Sequence, residues 1–317
     1  MRESPDDDSG LPAGVISQFW KELQAEHLRT LREYGPETMK RQQALRYFTW
    51  RWSWSALWRS EQFRFLLRCS APFDLVTAVL SKTDLDDSRW EGVAWPRADR
   101  RLYCAATRLI WRYAERATGR HPALRLAEPL LGSPLPVSLR GRLISQDLAN
   151  SALELSAMER GGASAPLHVL EIGAGYGRTA YVLLSLHERC HYTIVDIEPA
   201  LTISRWYLSQ LFDPDRLTFL TPEQIDRVPR ASVDLAVSIS TLSEMTPSTR
   251  DSYLSFLDEV TVRGRIYLKQ WMSWHNPVDN LDVHFDDFAI PARWVPILKE
   301  ACPVQTQFLQ AMWRNPG

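Results

Sequence analysis

The fold of this chain is decided by one short stretch, which reads His168-Val169-Leu170-Glu171-Ile172-Gly173-Ala174-Gly175-Tyr176-Gly177-Arg178. A short apolar run that ends in turn-forming residues is typical of a buried strand. Because glycine has no Cβ, glycines at alternate positions let the backbone turn sharply and let a ligand lie against the main chain. The stretch therefore predicts a strand, a tight loop and a cofactor site at that loop.

The spacing of the glycines indicates which cofactor binds. A dinucleotide fingerprint reads G-x-G-x-x-G and aims a helix N-terminus at a pyrophosphate, whereas this loop reads G-x-G-x-G. Glu171 precedes the first glycine by two positions, and its carboxylate repels a phosphate but attracts the ammonium group of S-adenosylmethionine. The pattern resembles motif I of the Rossmann-like (class I) S-adenosylmethionine-dependent methyltransferases. A tight turn without a ligand is the alternative, and a nicotinamide-dependent oxidoreductase is disfavoured by this spacing.

A second apolar run, at residues 192–197, ends in Asp196. In a parallel sheet its tip lies beside the first strand, where Asp196 can accept charge-assisted hydrogen bonds from two ribose hydroxyls, each about 1.5–3 kcal/mol. The alternative is that Asp196 only begins the next helix, since Pro199 occupies a favoured first-turn position. Gln224 is a candidate for the adenine edge, and the two serines after the fourth strand are candidates for the methionine end. The predicted cofactor-binding residues are Glu171, Gly173, Ala174, Gly175, Gly177, Asp196, Ile197, Gln224, Ser238 and Ser240.

Composition narrows the class of protein. A chain of 317 residues can bury a large core and predicts one large domain with an appendage. The net charge of -1, without a basic stripe, excludes a nucleic-acid backbone as the expected partner. The start is polar and no run of eighteen apolar residues occurs, so we expect a cytoplasmic protein without a membrane partner. The cysteines are widely separated and are interpreted as buried thiols: Cys69, Cys104, Cys190 and Cys302.

Periodicity divides the chain into two regions. Residues 1–12 read as disordered, and apolar residues at helical spacing predict helices over most of the first 120 residues. The alternating tryptophans of residues 50–58 predict a strand or an extended loop, either in the core or as a platform for a sugar. Turn-forming residues at 131–136 mark a boundary. We therefore expect a helical region at 1–140 that shapes the acceptor pocket, and a methyltransferase domain at 141–317.

The second region alternates between strands and helices. After a helix that includes residues 143–155, strands are predicted near 168–172, 191–196, 217–220, 233–239, 264–269 and 305–313. Helices are predicted near 178–187, 200–211, 247–260 and 291–300. Such alternation predicts an α/β fold with a Rossmann-like, doubly wound and mostly parallel sheet, whose ligands bind at the carboxyl ends of the strands.

Later segments extend the resemblance to a narrower family, over residues 140–313. The chain resembles the sugar O-methyltransferases of bacterial biosynthetic clusters. This resemblance implies a sugar hydroxyl as acceptor, whereas the spacing of the residues does not indicate the acceptor. The segments that carry the resemblance are Gly177-Arg178, Asp196-Ile197-Glu198-Pro199, Ser243-Glu244-Met245, Tyr267-Leu268-Lys269-Gln270-Trp271 and Trp294.

Two residues are candidates for a catalytic base, which an acceptor hydroxyl needs and which contributes about 10²- to 10⁴-fold. Glu244 follows the fourth predicted strand and His275 follows the fifth. An imidazole titrates near neutrality, and a carboxylate can act as base when it is desolvated. The alternatives are a helix cap or salt bridge for Glu244 and a solvated loop for His275.

The predicted substrate-binding residues are Tyr176, Arg178, Trp271 and Trp274. Arg178 either binds an anionic group of the acceptor or forms a salt bridge inside the fold. The two indoles either stack on the acceptor or belong to a lid that packs on the core. Residues 279–287 carry enough oxygen atoms for a divalent cation, but loops of this composition are commonly just polar, so no metal is predicted.

The favoured function is S-adenosylmethionine-dependent O-methylation of a sugar hydroxyl, on a biosynthetic intermediate or a glycosylated natural product. N-methylation of an amino sugar is the nearest alternative, because an amine needs no strong base. A non-catalytic nucleoside-binding scaffold is disfavoured, since it has no need for the complete set of glycines and acids. A homodimer stays open as the quaternary state.

Overall fold

A sheet of seven strands forms the centre of the protein in a computed structural model, which describes residues 17–42, 45, 60–80, 96–163 and 165–317. The strands of the described chain are β1 (Val137–Leu139), β2 (Arg142–Ile144), β3 (His168–Ile172), β4 (His191–Val195), β5 (Leu217–Leu220), β6 (Leu235–Ile239), β7 (Arg265–Trp271), β8 (Ser273–Asn276), β9 (Leu281–His284), β10 (Val295–Ala301) and β11 (Phe308–Arg314). The order in the central sheet is β10-β11-β7-β6-β3-β4-β5. Strands β3 to β7 are parallel, and β11 is antiparallel to both of its neighbours.

The order of the strands locates the ligand crevice. From β3 the chain moves outward through β4 and β5, and then returns to β6 on the other side of β3. Ligands of open α/β sheets bind at such a reversal, outside the carboxyl ends of the strands. The glycine loop after β3 and the turn after β6 both lie at this point. The predicted α/β fold with a Rossmann-like, mostly parallel sheet is confirmed.

Helices cover both faces of the sheet, because the residues of each strand alternate between two apolar cores. The helices are α1 (Gln18–Tyr34), α2 (Glu61–Cys69), α3 (Pro72–Leu80), α4 (Arg97–Ala117), α5 (Gln146–Arg160), α6 (Arg178–Leu186), α7 (Ala200–Leu208) and α8 (Pro247–Val260). On one face Val169 packs in a core with α4 to α7, and on the other Leu170 packs in a core with α8. The described part of the helical region thus shares a core with the sheet.

Most predicted elements of residues 168–260 are present within a few residues of their expected bounds. The helix α8 begins at Pro247 as expected, because the Thr246 hydroxyl accepts a hydrogen bond from the Thr249 N–H, 3.4 Å away. The start of α5 was predicted too early: β2 ends at Ile144 in a hairpin with β1, and the Ser145 hydroxyl caps a helix that begins at Gln146.

The predicted helix at 291–300 is wrong. Residues Val295–Ala301 form the edge strand β10, which pairs with β11 and has a register shift after Pro296. Proline is tolerated at an edge strand or a bulge but not inside a helix, which explains this outcome. In addition, a hairpin of β8 and β9 lies between β7 and β10, where a doubly wound sheet has a helix.

Two further expectations have mixed outcomes. The predicted helices of the first 120 residues are present where the structure describes the chain, and the tryptophan segment 50–58 lies outside the described residues.

All four cysteines are free thiols, but only three are buried, because Cys69 is exposed. Burial raises the pKa of the thiols of Cys190 and Cys302 to about 11. Within the described ranges, no helix combines the length and the apolarity that a membrane span requires.

Candidate active site

The glycine loop after β3 is closely packed on its neighbours. Gly173, Gly175 and Gly177 all have left-handed backbones, with φ of 77°, 59° and 92°, which favours glycine at each position. A Cβ on Gly173 would overlap the Thr241 side chain after β6, and one on Gly177 would lie 2.8 Å from a methyl carbon of Leu208. The loop that follows β3 therefore packs against the turn after β6 and against α7.

Asp196 lies beside this loop, as the sequence predicts for a neighbouring parallel strand. One carboxylate oxygen accepts a hydrogen bond from the Gly175 N–H at 3.0 Å, and the other accepts one from the Ile197 N–H at 2.8 Å. Burial raises the pKa of Asp196 to about 7, although these backbone donors lower it. A half-buried carboxylate that touches a glycine loop fits the ribose end of an S-adenosyl nucleoside.

Glu171 is more enclosed than its proposed contact with an ammonium group suggests. The residue is only 1 % exposed, and its carboxylate accepts a hydrogen bond of 2.9 Å from the Tyr192 hydroxyl of β4. Burial raises the pKa of Glu171 to about 7. The side chain is thus held inside the sheet by β4.

A buried amide on α5 is a candidate site residue that the sequence analysis did not select. Gln146 is buried, and its Nε2 has no hydrogen-bond partner in the described chain. It immediately precedes Asp147, which accepts a hydrogen bond of 2.6 Å from the Tyr176 hydroxyl of the glycine loop. A buried donor without a partner is costly, so a ligand oxygen at this end of the loop is a fitting partner. No motif in the sequence marks this residue, because its burial is a tertiary property.

Tyr176 and Arg178, two of the predicted substrate-binding residues, make their contacts inside the protein. Tyr176 is 4 % exposed, and its ring packs edge-on against Tyr207 with centroids 5.2 Å apart. Arg178 donates hydrogen bonds of 2.6 and 3.2 Å to the two carboxylate oxygens of Glu154 on α5. The hydroxyl and the ring of Tyr176 thus both have internal contacts, and Arg178 forms the internal salt bridge that was the alternative to an acceptor contact.

Four other predicted cofactor contacts differ in their surroundings. Ser238 is fully buried in β6, where its hydroxyl accepts a hydrogen bond of 3.2 Å from Gln270. The Gln224 side-chain carbonyl accepts the Thr221 N–H at 3.2 Å in a capping box. Ile197 is half-buried beside the loop, as is Ala174.

A chain of hydrogen bonds at the tips of β6 and β7 holds Glu244. The Trp271 indole donates to the Ser240 hydroxyl at 3.1 Å, and that hydroxyl donates to the Glu244 carboxylate at 3.2 Å. Ser240 has a φ of 66°, a conformation that a non-glycine residue adopts rarely. The buried Glu244 ends the turn that begins at Thr241, the residue packed on Gly173. The structure thus connects this candidate base with the glycine loop.

The other candidate base is on the surface of the hairpin. His275 lies in β8 with its side chain 55 % exposed, and its Nδ1 is 2.8 Å from a carboxylate oxygen of Asp282 in β9. The neighbouring Trp274 packs edge-on against Phe19 of α1, with ring centroids 5.6 Å apart. His275 therefore sits in an exposed ion pair, whereas Trp274 belongs to the contact between the hairpin and the N-terminal helix.

Helix α1 is attached to two loops at the carboxyl edge of the sheet. The N–H groups of Gln18 and Phe19 donate to the Asp279 carboxylate of the hairpin, at 2.9 and 3.2 Å. Further along α1, the Gln24 amide donates to the carbonyl of Glu198, which follows Asp196 after β4. The helix thus spans the distance between the hairpin and the loop after β4.

The acidic stretch 279–287 uses its carboxylates for other contacts. Asp279 binds α1, Asp282 pairs with His275, and Asp286 pairs with Lys299 at 2.8 Å. Among the described residues, no three or more His, Cys, Asp or Glu side chains are grouped so that they could hold a metal ion.

Comparison with known proteins matches part of the chain to a family model. Residues 170–264 match a family model described as a methyltransferase domain. No curated protein matches the sequence. Among solved structures, the chain is similar to the 1,6-didemethyltoxoflavin-N1-methyltransferase of Burkholderia thailandensis, bound to its acceptor and S-adenosylhomocysteine (20% identity, 53% of this chain and 76% of that chain, TM-score 0.42).

Two further structures show the range of similar proteins. One is the geranyl diphosphate C-methyltransferase of Streptomyces coelicolor A3(2) (10% identity, 53% of this chain and 79% of that chain, TM-score 0.43). The other is described as a sarcosine dimethylglycine methyltransferase of Galdieria sulphuraria (12% identity, 53% and 85% covered, TM-score 0.44). Residues 170–264 therefore contain a methyltransferase domain, which supports an enzyme.

Proposed function

We propose that this S-adenosylmethionine-dependent methyltransferase methylates a sugar hydroxyl, with Glu244 as the base that removes the hydroxyl proton. The observation that carries the proposal is the chain Trp271–Ser240–Glu244, which fixes a buried carboxylate at the end of the turn that touches the glycine loop. A base must be held within hydrogen-bond reach of the proton that it removes, and a fixed carboxylate meets that requirement. The choice of a sugar rests on the family resemblance.

The cofactor half of the site is proposed to orient the reaction. Asp196 would hold the ribose, the backbone of the glycine loop would lie along the nucleoside, and the Gln146 amide would meet an oxygen at the amino-acid end. The bound cofactor supplies a methyl group on a sulfonium, whose leaving group is already activated. Much of the rate then depends on how well the protein positions the acceptor.

His275 is proposed as a residue of the acceptor mouth. Its exposed pair with Asp282 leaves it in water, where a base gains little from its surroundings. Trp271 and Trp274, both half-buried near this mouth, are proposed to offer ring faces to the acceptor. We also retain as proposals a helical region at 1–140 that covers the acceptor and a methyltransferase domain at 141–317, because Phe19 contacts Trp274.

N-methylation of an amino sugar is the second candidate. The buried carboxylate of Glu244 favours it too, since a carboxylate orients an amine as well as a hydroxyl. Glu244→Gln separates the two, because an amide still orients an amine but removes no proton from a hydroxyl.

The test measures methyl transfer to a panel of sugars and their amino analogues, by mass spectrometry of the product and by release of S-adenosylhomocysteine. With a hydroxyl acceptor, we expect Glu244→Gln to lower turnover about 10²- to 10⁴-fold. Cofactor affinity should stay within twofold, and Glu223→Gln, at an exposed glutamate, should behave as wild type. Unchanged turnover in Glu244→Gln would remove Glu244 as the base, and transfer to the amines alone would select the second candidate.

A further inference from the structure

A lysine of the N-terminal region lies buried against the glycine loop. Lys40 is 6 % exposed, and its ammonium is 4.5 Å from the ring centroid of Tyr176 and 5.0 Å from that of Tyr207. The same ammonium is paired with the buried carboxylate of Glu128. The Ser145 hydroxyl donates to the other oxygen of that carboxylate at 2.6 Å. Both the charge and the stem of Lys40 are therefore enclosed by partners.

The ring of Tyr176 connects this lysine with the loop backbone. Tyr176 stands between Gly175 and Gly177, which both have left-handed backbones. Because glycine has no side chain, few side chains are available to hold the loop in place. Its hydroxyl is bound by Asp147 of α5, and the Lys40 ammonium lies over its ring. Any rearrangement of the loop backbone must move this ring, and thus must disturb a buried charge.

A space-filling role does not require an ammonium at this position. Burying a charge is costly unless it is paired, and here the cost is offset by Glu128 and by two aromatic rings. An apolar side chain of similar length would fill the same volume without burying an ammonium, although it would leave the Glu128 carboxylate without this partner. The charge instead makes the position of the Tyr176 ring specific, because the attraction falls away when the ring turns from the ammonium.

We propose that Lys40 is a positioning residue of the cofactor site, which acts through Tyr176 to hold the glycine loop in the conformation that accepts S-adenosylmethionine. The proposal rests on the cofactor assignment and adds that the N-terminal region is a part of the cofactor site. Coupling of this kind is reciprocal. Cofactor binding therefore stabilises the segment around Lys40 by the same factor by which Lys40 strengthens cofactor binding.

The test is calorimetric titration of the full chain with S-adenosylmethionine and with S-adenosylhomocysteine. We expect Lys40→Met to raise both Kd values about 3- to 30-fold, the range that a desolvated cation–π contact spans. Lys299→Met is the matched control, since its ammonium also lies near a ring, 5.5 Å from the Phe285 centroid, but outside the loop. This control should stay within twofold of wild type.

A double-mutant comparison separates positioning from general stability. In a Tyr176→Leu background, Lys40→Met should have no further effect on Kd, because the ring through which it acts is absent. If Lys40→Met lowers only the unfolding midpoint and leaves both Kd values within twofold, the proposal is overturned. A wild-type chain that binds neither nucleoside would instead overturn the cofactor assignment.

Hydrogen exchange keeps the proposal testable if Lys40→Met does not fold. In the wild-type chain, addition of S-adenosylhomocysteine should slow exchange of the backbone amides that follow Pro36, up to residue 42, about as much as Lys40 strengthens binding. Amides of α8, on the opposite face of the sheet, serve as the reference. Unchanged exchange at 36–42 with saturating nucleoside would contradict the coupling.

Discussion

The two halves of the carboxyl edge of the sheet are built differently. In the cofactor half, Glu171 and Asp196 are held by groups of β3, β4 and the glycine loop, which are close in sequence. In the acceptor half, Glu244 depends on Trp271, and the hairpin is attached to α1 through Asp279, more than 250 residues away from Gln18. The cofactor half is thus largely a local structure, whereas the acceptor half is assembled from distant parts of the chain.

The largest expected effect is the loss of cofactor binding in Asp196→Ala. This substitution removes both carboxylate oxygens next to the loop, and each charge-assisted bond to a ribose hydroxyl is worth about 1.5–3 kcal/mol. We expect the Kd for S-adenosylmethionine to rise about 10²- to 10⁴-fold in a calorimetric titration. Asp213→Ala is the control, because Asp213 also accepts a backbone N–H bond, at 3.0 Å from Asp215, but in a turn before β5.

Only the cofactor half should respond to Asp196→Ala in this way. If the variant binds within fivefold of wild type while it stays folded by circular dichroism, the local carboxylate is not the basis of affinity, and the comparison between the halves fails. Loss of the bonds to Gly175 and Ile197 will also lower the unfolding midpoint, so both quantities are measured on the same sample.

The same contrast explains what could be predicted from the sequence. The strand bounds of β3 and β5 and the contact between Asp196 and the glycine loop were predictable, because periodicity and short spacing determine them. The inward direction of Tyr176 and the partner of Arg178 were not, because both depend on α5. The hairpin of β8 and β9 and the edge strand β10 were not predicted, although each pairs with a strand that is close in sequence. The tryptophan segment 50–58 lies outside the described residues.

The second expected effect is a pH dependence of cofactor affinity. Burial raises the pKa of Asp196 to about 7, so its carboxyl holds a proton below that pH in the cofactor-free protein. A ribose hydroxyl donates to the ionised form, and binding must then release the proton. We expect affinity to rise up to about tenfold per pH unit between pH 5 and 7 and to level off above 7. Calorimetry in buffers of different ionisation enthalpy measures the released proton.

Asp196→Asn is the control for this pH dependence, and any slope that it retains is assigned to Glu171, whose pKa burial also raises to about 7. The stability of the cofactor-free protein changes with pH in the opposite direction to its cofactor affinity. A raised carboxyl pKa means that the folded protein holds protons which the unfolded chain releases above about pH 4. The two groups therefore lower the free energy of unfolding of the cofactor-free protein as the pH rises from about 4 to 7. An affinity that is flat over this range would show that neither carboxyl titrates on binding.

The smallest expected effect is in the acceptor half, in Asp279→Ala. This substitution removes the acceptor for the N–H groups of Gln18 and Phe19, and backbone donors at a helix start are stabilised by such a side chain. We expect hydrogen exchange in α1 to become about two- to tenfold faster, with the low end favoured because the hydrogen bond from the Gln18 N–H to Asp279 is exposed to solvent. Asp282→Ala, on the same hairpin but paired with His275, should leave α1 unchanged.

Cofactor affinity should stay within twofold in both variants, because the cofactor half is held by its own contacts. If Asp279→Ala weakens cofactor binding as strongly as it loosens α1, the Gln24 contact with Glu198 transmits the change, and the two halves form one cooperative unit.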